Sequence, residues 1–140
     1  MLHIAKLAVG VSDVEHLRRI QAARLADGAE LRHLTRNFPR RRDEVIDGGS
    51  IYWVIAGVML VRQRLRDIVA AAWDDGTRCA ALVLDPELVP LAGRAVRPFQ
   101  GWRYLEPAAA PPDAVDAAAA RGADGLPPAL RRDLQSLGLL

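Results

Sequence analysis

Residues 47–67, DGGSIYWVIAGVMLVRQRLRD, constrain the fold of this chain more than any other stretch. The turn signal Asp47-Gly48-Gly49 opens them. Ser50 to Ile55 then forms a dense run of β-branched and aromatic side chains, the composition that fits a pleated, half-buried surface. Gly57 permits a bend into the next segment, where Arg62, Arg64 and Arg66 recur at every second position. On a strand, three such guanidiniums project from one face as a row. Residues 58–73 also match a helical period through Val61, Leu65, Ile68 and Ala72, and a helix would scatter the row. The continuing β-branched residues and the hairpin signal Asp74-Asp75-Gly76-Thr77 favour a strand. Cys79 to Leu84 reads as the apolar return strand, stopped by Asp85-Pro86.

Around this centre the spacing predicts a first strand over residues 2–9, ending at Gly10. Ser12 and Glu15 form an S-x-x-E capping box for a helix running to about Ala26, with Gly28 as a left-handed C-cap. Val14, Leu17, Ile20 and Leu25 give that helix an apolar side. Leu31 to Arg36 is a second strand, broken by Asn37-Phe38-Pro39, and Arg40 to Ile46 can form one helical turn. The expected fold is α+β: a small, mostly antiparallel curled sheet or barrel, packed with an N-terminal helix and a short C-terminal helix. Residues 1–106 make the domain, and residues 107–140 are an alanine- and proline-rich linker and final helix. Pro127-Pro128 can start that helix, and Leu126, Leu130, Leu134 and Leu137 stripe one side of it. The expectation is that it docks back on the domain, with docking on a protein partner as the alternative.

The net charge of +2 does not by itself imply nucleic acid, but its distribution is uneven. Residues 32–66 hold eight arginines against Asp43, Glu44 and Asp47, whereas residues 104–140 are net acidic. Lys6 is the only lysine among 19 basic residues, and such arginine- and alanine-rich usage also arises from a GC-rich genome. The longest apolar run, Ile51 to Val61, is far short of the roughly 20 residues of a membrane span, so no membrane partner is expected. The amino-terminal residues lack the pattern of a signal peptide. Cys79, the single cysteine, excludes an internal disulfide and fits a reducing cytoplasm.

Two segments suggest a nucleic-acid surface beside the row of Arg62, Arg64 and Arg66. In RPFQGWRY, residues 97–104, Trp102 and Tyr104 alternate with Arg103, pairing faces for unstacked bases with a phosphate-binding charge. The plain alternative is that these aromatics seal the core. Arg40-Arg41-Arg42 can clamp phosphates, unless the acids that follow neutralise them. Asp47 to Ser50 is turn chemistry rather than a phosphate loop. His3, His16 and His33 lack metal-ligand spacing, and no cofactor fingerprint or catalytic motif occurs, so no metal, cofactor or catalytic residue is assigned. RNA or a nucleotide is the leading partner. The alternative is a small enzyme that holds an anionic metabolite with arginines and draws its base from Asp43, Glu44 or Asp67. Asp43, Glu44, Asp67 and Asp85 could be catalytic only if the fold gathers them, which the sequence does not show.

The blocks KLAVGV (6–11), GGSIYWVIAGVMLVRQR (48–64), LDPELVP (84–90) and PFQGWRYLEP (98–107) together resemble a family of short alphaproteobacterial proteins. That family is catalogued as domain of unknown function fourteen-eighty-nine. The resemblance spans nearly the whole chain and implies no activity or functional residue. Ala56 departs from it, at a position where the resemblance implies a lysine. The pattern of early helix, glycine turn and β-meander also resembles the small barrels of the PUA and ASCH group, which implies RNA or modified-nucleotide binding at the level of fold alone.

Overall fold

The computed structural model describes residues 1–115, which form seven strands, two α-helices and a 3-10 turn. Strand β1 (His3–Leu7) leads into α1 (Val14–Ala26), β2 (Arg32–Thr35) and the short α2 (Arg42–Ile46). Strands β3 (Ser50–Ile55), β4 (Val58–Ala72), β5 (Arg78–Leu84), β6 (Val89–Ala95) and β7 (Trp102–Leu105) follow, and Pro107–Ala109 closes with the 3-10 turn. The expected C-terminal helix lies outside the described residues.

The ambiguous stretch is a strand. β4 runs 15 residues, about three times a usual strand, and it organises the sheet. Its first half pairs with β3 on one side and β6 on the other, and its second half pairs with β5. Its register slips between Leu65 and Asp67, so Arg66 sits at a bulge, the irregularity that bends a strand and increases its twist. The hairpin into it turns on Ala56 and Gly57, both at positive φ. That explains what position 56 does locally: a residue there must tolerate the left-handed region.

The order of the sheet is β2-β5-β4-β3-β1-β7, with β6 beside β4. All pairings are antiparallel except β1 with β3, which α1, β2 and α2 separate in sequence. The sheet curls tightly. Laid flat, β2 and β7 would stand roughly 24 Å apart, at about 4.8 Å per strand. Instead the Trp102 indole donates to the carbonyl of Asn37, just past β2, at 3.2 Å. The curl stops short of a barrel: β2 and β7 share no strand ladder, so the closed alternative does not form. The physical reason is at the seam, where Asn37-Phe38-Pro39 ends β2 and the two edges are bridged by side chains.

The concave face carries the main core, including Ile4, Ile51, Trp53, Val61, Leu65, Leu82 and Leu84, with Leu17 of α1 and Val45 of α2 against it. A smaller cluster of Ala5, Tyr52, Val54, Met59, Leu91 and Leu105 covers the opposite face. Alternation along the strands assigns each side chain to one or the other. The N-cap of α1 is Asp13 rather than Ser12: the Asp13 carboxylate accepts from the His16 amide at 2.7 Å. Ser12 stands one residue too early, and its amide instead donates to the His16 ring at 3.1 Å. Leu17 and Gln21 are the buried positions of α1, while Leu25 is exposed, so the apolar side is narrower than its sequence suggests.

Candidate functional site

The alternation of Arg62, Arg64 and Arg66 is real, because buried Val61, Gln63 and Leu65 occupy the positions between and beside them. Two of the three guanidiniums are already engaged. Arg62 donates through Nε and Nη2 to both oxygens of Asp113, at 2.7 and 2.8 Å, and through Nη1 to Ser50. That hydrogen bond to Asp113 raises the Arg62 pKa. Arg66 donates to Asp85 at 2.9 Å, and the Glu87 amide, with Arg66 beside it, lowers the Asp85 carboxyl. Arg64 is exposed and has no carboxylate partner among the described residues. Arg62 and Arg64 border an open groove of about 490 Å³ that also contains Asp85, Glu87 and Asp113. It is a mixed-charge surface, not a basic stripe.

The other candidates converge at the seam. Tyr104 accepts from the Arg41 amide at 3.0 Å, and Trp102 reaches Asn37, so β7 is stitched to the loop before α2. Trp102 and Tyr104 pack edge-on to each other and against the main core. The core-sealing reading therefore describes their contacts. Arg103 points to the other face and lies 4.4 Å from the Phe99 ring centroid. Within the arginine triplet, Arg41 pairs with Glu44 and Glu106, and Arg42 with Asp43 and Asp67. Arg40 has no carboxylate partner among the described residues. Neutralisation by the following acids thus claims two of the three. Each of these acids serves an arginine: Asp43 and Asp67 meet on the Arg42 guanidinium, Glu44 pairs with Arg41, and Asp85 pairs with Arg66.

Taken together, segments 36–42 and 94–103 contain seven arginines and no acidic residue. Arg36, Arg40, Arg97 and Arg103 keep no carboxylate partner among the described residues, nor does Arg94, which donates instead to the Ala109 carbonyl, and Phe38 between the first two is 45% exposed. Arg36 and Arg97 are additions to the sequence candidates; the signal available was the lack of acids across both segments.

A second feature lies where α1 covers the concave face. Gln21 of α1 and Gln63 of β4 exchange amide hydrogen bonds at 2.9 and 2.6 Å, and Gln63 also accepts from the Trp53 indole at 2.9 Å. Its amide further donates to the Asp85 carbonyl. Beside this network is a cavity of about 120 Å³, lined in part by Leu17, Gln21, Arg24, His33 and Trp53. His33 meets Trp53 edge-on at 5.1 Å, and its Nε2 is sealed from solvent without a hydrogen-bond partner. The sole lysine, Lys6, is 9% exposed on the same face. Sequence reasoning passed over Gln63, although a polar residue in phase with Val61 and Leu65 is a legible sign of a buried hydrogen bond.

Over residues 4–140 the sequence matches a family described as Protein of unknown function (DUF1489). The chain belongs to the DUF1489 family. No curated protein and no solved structure matches it. Among the described residues of this DUF1489 protein, no cluster of His, Cys, Asp and Glu could hold a metal ion. No described helix is long and apolar enough to cross a membrane.

One property of the DUF1489 interior is open to direct measurement. Burial, reinforced by the charges of Lys6 and Arg24, lowers the His33 imidazole from 6.5 to about 4. The unfolded chain then binds a proton that the folded one refuses. Stability present above pH 6.5 is accordingly lost as pH falls to about 4, and the loss levels off below that. The expected share of His33 is about 2–3 kcal/mol. Urea unfolding at pH 7, 5.5 and 4 measures it, with His33→Gln as the comparison. A variant whose stability falls as steeply as the parent's over that window would rule His33 out as the source.

Proposed function

We propose that this protein binds RNA or nucleotides through the seam between β2 and β7, rather than through the arginine row of β4. One observation carries the reading: two segments with seven arginines and no acid are stitched together by Trp102 and Tyr104, leaving Arg36, Arg40, Arg97 and Arg103 with neither a carboxylate nor a carbonyl partner among the described residues, and Phe38 exposed between the first two. Phosphates need cations that are not already paired, and an exposed ring offers a base a stacking face. The order strand, helix, strand, helix and then meander, on a strongly curled sheet, supports the analogy with small PUA and ASCH barrels. The buried lone Cys79 is consistent with action in the reducing cytoplasm.

The test is binding of single-stranded and structured RNA across a salt series. Four phosphate contacts predict a log–log salt slope of about −3 for single strands. The double variant Arg40→Glu/Arg103→Glu should flatten that slope and weaken binding by about tenfold or more, whereas Arg64→Glu should stay within about twofold. Absence of binding at low salt, or unchanged affinity in the folded double variant, would overturn the reading.

A further inference from the structure

We propose that the cavity between α1 and the concave face binds a small planar organic anion, with the size and shape of an aromatic carboxylate. Size comes first. Its volume of about 120 Å³ compares with the roughly 150 Å³ of an engineered cavity that takes up benzene. The walls suit a flat ring: Leu17, Ile20, Leu31 and Leu84 are aliphatic, and Trp53 stands against His33 at an interplanar angle of 87°.

Charge is the second argument. Among the described residues, two arginines and no carboxylate line the cavity. Arg32 is paired with Glu30, but among the described residues Arg24 has only a long 3.4 Å hydrogen bond, to the Arg32 carbonyl. Arg24 is exposed on the last turn of α1 and so can reach an anion at the mouth. Gln21 gives one amide N–H to Gln63 and retains a second. His33 also lines the wall, and the charges of Lys6 and Arg24 are felt at its ring. A cation finds no counter-charge in this wall, and a nucleotide exceeds the volume. A ring bearing one carboxylate satisfies both the apolar walls and the cationic mouth. This site is separate from the seam, and neither reading requires the other.

Benzoate is the probe, titrated into the full chain and followed by ¹H–¹⁵N spectra. Ligands of about nine non-hydrogen atoms bind in the micromolar-to-millimolar range at ordinary efficiencies. The expected result is saturable shifts at Gln21, His33 and the Trp53 indole. Benzamide, flat but neutral, should bind at least about tenfold more weakly, as should benzoate to Arg24→Gln. Ile20→Phe, which fills the cavity, should abolish the shifts. Should that variant not fold, the exposed Arg24→Gln decides. Equal binding of benzamide, unchanged binding by Arg24→Gln, shifts confined to the seam segments, or no saturable shift at all would each overturn the proposal.

Discussion

Gly49→Ala is expected to cost more than about 4 kcal/mol, and in a domain of ordinary stability little of the chain would remain folded. A Cβ at this position would lie 2.1 Å from the Leu2 carbonyl oxygen and 2.2 Å from that of Val45. Both obstacles are backbone atoms, so no side-chain rotation relieves them. Gly49 also donates to Val45 at 2.9 Å and accepts from Leu65 at 3.0 Å, which fixes it between the end of α2 and β4. Separating these elements would open the parallel β1–β3 pairing and the core above it. Gly48 is the control. Its φ of +84° is strained for an L-residue, but an added Cβ would touch only the Met1 side chain, at 3.6 Å. Gly48→Ala should cost about 1–2 kcal/mol. Urea unfolding followed by circular dichroism compares the two, and a Gly49→Ala protein as stable as Gly48→Ala would show that the close approach is not required.

The second large effect is expected at Gln63. The residue is fully buried, and its amide joins Gln21, Trp53 and the Asp85 carbonyl. Truncation to alanine leaves a cavity and strands the Trp53 N–H and the Gln21 amide in the core. Each unsatisfied buried group costs about 1–3 kcal/mol, so Gln63→Ala should lose about 3–5 kcal/mol in all. A cycle with Trp53→Phe separates the two causes. If unmet hydrogen bonding dominates, removing the indole N–H as well should cost less than the two single losses combined. Additive losses would assign the effect to packing alone.

These two residues show where local reading works and where it stops. The glycine pair was legible as a turn because turn chemistry depends on a few neighbouring residues, and Gly48 does adopt the positive φ that a turn demands. Gly49 serves a different purpose, the approach of Leu2 from 47 positions away, and no local pattern encodes that. Similarly, the β3 boundaries and the strand character of β4 follow from β-branched runs and period-2 alternation. The same alternation correctly set Arg62, Arg64 and Arg66 apart from the buried set.

What the sequence determined by itself, then, is the set of short-range elements and which face of each strand is apolar. Side-chain period, glycine turns and β-propensity act over a few residues, so they survive without knowledge of the fold. Only the tertiary structure decided which arginines are spent, because their partners are far along the chain: Asp113 is 51 residues from Arg62, Asp67 is 25 from Arg42, and Asp85 is 19 from Arg66. It also decided that the curled sheet stays open at the seam and that Gln21, Gln63, Trp53 and His33 meet beneath α1. Charge pairing and cavity formation depend on distance in space, which patterns acting over a few neighbouring residues do not encode.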